Sequence, residues 1–299
     1  MLHRVLVQNL SVDQSQVFPL QGPRDGYFIK DIEGLGPVNA VISSIDRPNI
    51  DGEEYNRSKR TTRNLVFTIG MDSNASEPYF KLRDKLYRLF MTNTNVRFTF
   101  EIKTNLWVVD RVVAIEGVVE TCEPSIFEKD PEVVVSVLCH SSNFESTTRE
   151  ETFGESCRGA QNPVWNLIEN PGTAEWGFNF RLVAKRNTSA VILRTKRPGA
   201  EERVFSMIFG SNFKTNDTIR INTHPGNKYA RLAKGPPGSG VPQESILYLV
   251  NTMLADGTPV DDWPLIYPGK NYFRVDLVRV GNVFDDPFRI RYWPRYGGI

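Results

Sequence analysis

Residues 76–102 read SEPYFKLRDKLYRLFMTNTNVRFTFEI. Tyr79, Leu82, Leu86, Leu89 and Phe90 recur at helical spacing, and Lys81, Arg83, Asp84, Lys85 and Arg88 fill the other face. Ser76 suits the N-cap and Glu77 the positive end of the helix dipole. Lys85 and Arg88 suit the negative end, and Asp84 lies one turn from Arg88. Thr92–Asn95 stop the helix. At Val96 the period switches to two: Val96, Phe98, Phe100 and Ile102 alternate with Arg97, Thr99 and Glu101, which describes a half-buried strand. One helix set among strands implies a helix covering one side of a β-sheet or barrel.

Working outward, strands are expected around Val5–Val7 and over Tyr27–Ile32, the latter ending in a tight Gly34-Leu35-Gly36-Pro37 turn. Val38–Ile45 reads as a strand, Asp46–Arg63 as a polar loop or protruding hairpin, and Asn64–Ile69 as a return strand. Leu106–Ala114, Ile115–Thr121 and Glu132–His140 follow, the last apolar on both faces and so expected at the sheet centre. The polar run Ser141–Glu155 reads as an interdomain linker. Beyond it, strand-like segments separated by turns run from Phe178 to Val278, a pattern that suggests a sandwich or jelly roll. The expected division is a β domain over 1–144, a linker over 145–160 and a β-sandwich over 161–299.

The 299 residues are long enough for two ordinary domains, and the 11% aromatic content leans towards β structure. With 36 Lys+Arg against 35 Asp+Glu, the chain lacks the charge excess of a protein that grips nucleic acid by its phosphates. Cys122, Cys139 and Cys157 cannot all pair within the chain, which suits free thiols in a reducing compartment. The opening residues turn polar too soon for a signal peptide, and no apolar run approaches the ~20 residues of a membrane helix, so no membrane insertion is expected.

Candidate chemistry is sparse. Asp261-Asp262 and Asp285-Asp286 are adjacent pairs in turns, and adjacent loop residues seldom face a common substrate. Asp110, Glu116 and Glu120 read as the polar face of a strand. His140 follows Cys139, but neighbours on a strand point to opposite faces, which is poor geometry for a metal or a Cys–His nucleophile. The glycine clusters at Gly34–Pro37 and Gly235–Gly240 lack the partners of a phosphate loop and read as turns. No catalytic, metal or cofactor set emerges. Two surfaces remain. One is the charged set Asp51, Glu53, Glu54, Arg57, Lys59, Arg60 and Arg63, a candidate protein interface. The other is the second-half aromatics, with Trp176, Trp263 and Trp293 as a candidate outer binding surface.

The order of features also carries a resemblance. FIKDIEGLGPVNA, RTTRNLVFTI, FKLRDKLYRLF and VVAIEGVVETCEPSIFEKDPEVVVSVLCHSSNF follow one another as in the distal tail proteins of long-tailed bacteriophages. The matching positions are Gly34, Gly36, Pro37, Arg63, Asn64, Leu82, Leu86, Tyr87, Gly117, Phe127, Ser136, Cys139 and Phe144. The family usually has proline after the cysteine, where this chain has His140. WPLIYPGKN, at Trp263–Asn271, resembles the segment of the family's second domain in which an aromatic and a leucine lead into Pro-Gly-x-Asn, and YWPRYGGI, at Tyr292–Ile299, resembles its closing strand.

The resemblance implies a structural virion protein without enzyme activity. Its N-terminal domain would be barrel- or sandwich-like, with one helix and a long hairpin, and would assemble six copies into a ring that continues the tail tube and passes DNA. The ring would join the tube protein to the tail-tip hub. A galectin- or jelly-roll-like C-terminal sandwich would hold receptor-binding or side-fibre proteins. The site of action would be the phage tail tip, after assembly in the host cytoplasm. On this view the Asp46–Arg63 segment is an inter-subunit or tube-facing element. The competing reading is a carbohydrate-binding module for host-surface glycans, and a third is a glycan hydrolase needing two carboxylates in one cleft.

Overall fold

Where the period changes from helical to two, the chain enters a nine-residue strand, Asn95–Lys103, whose Val96, Phe98 and Phe100 are wholly buried. This strand lies in the first of two compact units. The units comprise residues 1–147 with 296–299, and residues 148–295. The computed structural model describes residues 2–11, 17–20, 26–47, 51–72, 77–103, 108–125, 131–156, 164–236, 242–278 and 286–299. Ser76, Phe127, Cys157 and Asp285, each given a reading from sequence, lie outside these residues.

The first unit runs β1 (Leu2–Asn9), β2 (Phe18–Pro19), β3 (Tyr27–Glu33), β4 (Ala40–Asp46), β5 (Glu53–Arg60) and β6 (Arg63–Met71). Helix α1 (Tyr79–Leu89) follows, then β7 (Asn95–Lys103), β8 (Val109–Pro124), β9 (Glu132–Cys139) and β10 (Phe144–Ser146). The main sheet is antiparallel in the order β2-β1-β7-β8-β9-β6-β3, open at both ends rather than closed as a barrel. β9 is interior to it, as its apolar run predicts. From Val109 on, the two segments expected at 106–121 form one long strand, β8, and Leu106 lies outside the described residues. Gly117 does not break it, because its missing side chain is the space taken by Val137 and Cys139.

Leu82, Leu86 and Leu89 of α1 turn inward, each contributing roughly 1.5–3 kcal/mol by burial, while Tyr79 stays exposed. Pro78 occupies the N-cap and Lys85 pairs with Glu77 at 2.6 Å. The Asn9 amide donates to Leu89 O at 2.9 Å, satisfying an orphan carbonyl at the helix C-terminus. Tyr27 donates to Leu82 O at 2.9 Å, and burial, with Glu77 adding to it, pushes its phenol up to about 12. Phe67 and Phe98 stack at 4.4 Å, and Phe100 meets Phe144 edge-on at 5.6 Å.

Arg63 is not an interface residue, contrary to its place in the charged set; it is 1% exposed. Its guanidinium donates to Gly34 O, to Gly36 O at 2.7 Å, to Ser142 O at 2.9 Å and to Gly297 O at 2.6 Å. It lies over the Phe144 ring at 4.3 Å. Burial lowers its pKa, but an arginine so surrounded by carbonyls stays charged. The turn it grips requires glycine. Gly34 has φ +86°, and a Cβ there would stand 2.0 Å from Asn64 O. The closing residues, read from sequence into the second domain, thus return to the first unit, where Ile299 N also donates to Leu35 O at 3.0 Å.

The second unit is a sandwich. Its strands are β11 (Glu150–Glu155), β12 (Asn166–Asn170), β13 (Asn179–Val183), β14 (Thr188–Lys196), β15 (Arg203–Phe213) and β16 (Thr218–Asn222). They continue with β17 (Tyr229–Ala233), β18 (Gln243–Ser245), β19 (Val250–Leu254), β20 (Gly269–Val278) and β21 (Pro287–Tyr292). One antiparallel sheet has the order β11-β21-β13-β16-β17-β18 and the other β12-β20-β14-β15-β19. Alternate residues such as Phe180, Leu182, Leu193, Phe205, Phe273 and Ile290 fill the core. The run expected as a linker carries β10 and β11, because Phe144 has a core to fill and residues 150–155 pair fully with β21. Within WPLIYPGKN, Asn271 bonds Tyr267 N at 2.9 Å and Tyr267 O at 2.7 Å, closing the turn ahead of β20.

The Arg63 clamp predicts a large loss for a nominally conservative change. Arg63→Lys offers a point charge to four carbonyls set for a planar fork, and should cost about 2–4 kcal/mol in equilibrium denaturation. A loss under about 0.5 kcal/mol would show that the carbonyls find other donors.

Candidate functional site

The most exposed regular structure in the first unit is the ribbon formed by β4 and β5, a separate two-stranded sheet. The segment read as loop or hairpin is a hairpin, and Val38–Ile45 supplies its first strand. Ala40 pairs with Arg60, Ile42 with Ser58 and Asp46 with Glu53, with a register shift between Ser43 and Ser44. Gly52, at φ +95°, lies in its turn. Every residue of β5 is exposed, and on β4 only Ser43 is partly covered.

The ribbon places the charged set in two groups. Asp51, Glu53 and Glu54 lie at the tip, where Ser44 donates to Glu53 and Arg47 pairs with Glu54. Arg57, Lys59 and Arg60 lie towards the base, where Arg60 donates to Asn143 at 3.3 Å. Sequence reasoning missed four apolar members: Val41 is 63% exposed, Ile42 67%, Ile45 50% and Tyr55 63%. Val41, Ile42 and Ile45 lay within a segment read only as a strand, and Tyr55 within one read as polar, so neither reading singled them out. An isolated two-stranded hairpin is marginal in water, and exposed apolar side chains on it gain from a second surface.

In the second unit, Trp176 and Trp293 flank His224 at ring distances of 6.0 and 6.4 Å, and Arg295 lies over Trp176 at 4.3 Å. Both tryptophans are half-buried. Trp263 stands apart, edge-on to Phe205 at 5.1 Å. Gly177 admits the His224 backbone, which would lie 2.4 Å from any Cβ there. Burial, and then the charge of Arg295, lower the His224 pKa to about 4.

Other candidate chemistry disperses. Burial pushes the Cys122 thiol up to about 11 and that of Cys139 up to about 12, so neither offers a thiolate near neutral pH. Cys139 is buried and His140 exposed, on opposite faces. Glu116 faces Arg97 at 3.4 Å and Glu120 accepts from Ser136 at 3.0 Å. Asp262 pairs with Arg203 at 3.4 Å, while Asp286 is wholly buried. The Gly34–Pro37 turn receives Arg63. Among the described residues no cluster of three His, Cys, Asp or Glu stands ready for a metal, and no helix is long and apolar enough to cross a membrane.

Against solved structures, the fold finds a counterpart along nearly the whole chain. The SPP1 Dit (gp 19.1) protein, described as a paradigm of the hub adsorption apparatus in Gram-positive infecting phages, superposes with a TM-score of 0.59. The alignment covers 97% of this chain and 98% of that one, at 12% identity. This chain shares the SPP1 Dit fold. Structures of the phage P2 baseplate in its activated conformation, with Ca and with Sr, align over 97% of this chain at TM-scores of 0.40 and 0.39, each at 12% identity. No protein-family model matches the sequence, and no curated protein does. The likeness to SPP1 Dit is therefore one of fold.

His224 gives the second unit a pH dependence of known sign. The unfolded chain takes a proton at about 6.5, the folded chain only near 4. The stability held by the neutral ring is present in full above 6.5 and is lost as pH falls towards 4. The drop in Tm between about pH 7 and about pH 4.5 should be smaller in His224→Gln than in the parent, with thermal melts as the measurement. Equal drops would show that the ring is not held neutral.

Proposed function

We propose that this chain is a distal tail hub protein of a long-tailed bacteriophage. Six copies would form a ring between the tail tube protein and the tail-tip hub, with DNA passing through the bore. The observation that carries the reading is a two-unit fold shared with SPP1 Dit from one end of the chain to the other. The β4–β5 ribbon supports it, since it presents apolar residues that the first unit does not cover.

A ring uses unlike faces of one chain. The ribbon supplies one such face, through Val41, Ile42, Ile45 and Tyr55, with Asp51, Glu53 and Glu54 at the tip and Arg57, Lys59 and Arg60 fixing orientation by charge. A net charge of +1 suits a conduit, because a strongly basic bore would hold DNA instead of passing it. The second unit would be the outer domain, carrying receptor-binding or side-fibre proteins. The role is structural, the place of action is the virion tail tip, and assembly would occur in the host cytoplasm. A glycan-binding role for the outer domain draws support from Trp176 and Trp293 on either side of His224. Glycan-array binding lost on Trp176→Ala would establish it.

Light scattering over a concentration series tests the ring. Six chains of 34.0 kDa give about 204 kDa, and negative-stain images should show an open bore. The Val41→Asp, Ile42→Asp double variant should remain at 34.0 kDa and keep the folded circular-dichroism spectrum of the parent, since both side chains are exposed in the single chain. A parent that stays monomeric at every concentration, with no ring on adding tail tube protein, would overturn the hub reading.

A further inference from the structure

The outward face of the six-stranded sheet in the second unit carries charges of one sign in register. Arg289 on β21 is the cross-strand partner of Arg181 on β13, Arg181 of Arg220 on β16, and Arg220 of Arg231 on β17. Directly opposite residues share a face with Cβ atoms about 4.5–5.5 Å apart, so four arginines stand in line across four adjacent strands. Like charges so placed repel. Arg181 registers the strain: burial first, then the charges of Arg289, Arg220 and Arg291, lower its pKa. Its Nε is buried without a hydrogen-bond partner.

One carboxylate answers the row, and only at its end. Glu151 on β11 lies 3.0 Å from Arg289 and 2.9 Å from Arg291. Among the described residues Arg181, Arg220 and Arg231 form no ion pair. The other sheet treats the same problem differently. Arg194 and Arg274 are also cross-strand partners, but Asp276 takes both, at 2.8 and 2.7 Å, and Glu202 lies 2.7 Å from Arg194. Carboxylates within the chain thus neutralise one arginine pair and leave the other series open. Beside the open series, opposite Arg289, Phe153 is 71% exposed.

We propose that this sheet face docks an acidic polypeptide segment, whose carboxylates pair with Arg181, Arg220 and Arg231 and whose apolar side chain covers Phe153. Guanidinium forks donate to carboxylates and phosphates alike. Phe153 separates a polypeptide from a bare polyphosphate, which meets the charges and leaves the ring in water, and the near-balanced charge of the chain, 36 Lys+Arg against 35 Asp+Glu, speaks for a polypeptide over a nucleic acid. The inference deepens the docking role of the outer domain and rests on that reading for taking the partner as another tail component.

The test uses the full chain and a labelled peptide of about ten residues, glutamate with one central leucine, read by fluorescence anisotropy at low salt, where such pairing is least screened. Polyphosphate of matched charge is the comparator. The peptide should bind, and Arg181→Gln with Arg220→Gln should weaken it about tenfold or more, as loss of charge-assisted pairs does. Phe153→Ser should weaken it several-fold while leaving polyphosphate binding unchanged. The double arginine variant should melt no lower than the parent, because it relieves repulsion, and that separates lost docking from lost folding. Undiminished peptide binding in that variant, or no binding by the parent, overturns the proposal. Tighter polyphosphate binding with no effect of Phe153→Ser also overturns it, in favour of an anionic-polymer site. Mass measured in parallel keeps the two readings separable: a ring that ignores the peptide sinks the surface alone, and a monomer that binds through the row sinks the hub alone.

Discussion

A guanidinium taken out of water must find acceptors, and Arg63 finds four backbone carbonyls from three separate stretches of chain. The turn after β3, the turn before β10 and the chain's closing residues are all set by what that one side chain can reach. Leaving any of these carbonyls unmade costs about 1–3 kcal/mol, so the turns are held as a group. Phe144 covers the guanidinium, and Gly34 lets the turn approach β6 without a clash. Several residues that carry the family resemblance, Gly34, Gly36, Arg63 and Phe144, therefore meet at one point. They look scattered in the sequence because the contact joining them is tertiary.

Arginine appears in three settings in this protein, and the setting decides its role. Buried among carbonyls, as at Arg63, it organises turns. Bridged by carboxylates, as at Arg194 and Arg274, it ties neighbouring strands together across a sheet face. Aligned without carboxylate partners, as at Arg181, Arg220 and Arg231, it leaves like charges facing one another across the strands. The β4–β5 ribbon makes the same case in apolar terms. Its Val41, Ile42 and Tyr55 lie in water on a two-stranded sheet that has no core of its own. Each unit thus carries one surface on which the single chain leaves charge or apolar area unanswered.

Much of this was legible in the residues. The helix at 79–89 and the strands at 95–103 and 132–139 follow from period and composition, which are local properties. The ribbon was open as one of two readings, and its exposed apolar residues were hidden because three apolar residues on a strand and one tyrosine in a polar run carry no local sign of exposure. Arg63 was misplaced for a related reason: it continues a basic run, Arg57, Lys59 and Arg60, whose other members are exposed. Nothing in that run distinguishes the one arginine whose strand enters the core. The linker reading failed at Glu150–Glu155 because a polar segment becomes a strand when a neighbouring edge offers it a full set of backbone partners.

The sequence by itself determined the β character and the helix that covers the first sheet, since these depend on residue types and short-range spacing. The tertiary structure alone decided which distant residues meet. Gly297 reaches Arg63 across 234 positions, and Trp176 and Trp293 come together around His224. The arginine row exists only in the register of β21, β13, β16 and β17. Register and chain crossing are fixed by the packing of whole sheets. A shift of one residue would send each arginine to the opposite face, and no local pattern encodes that choice.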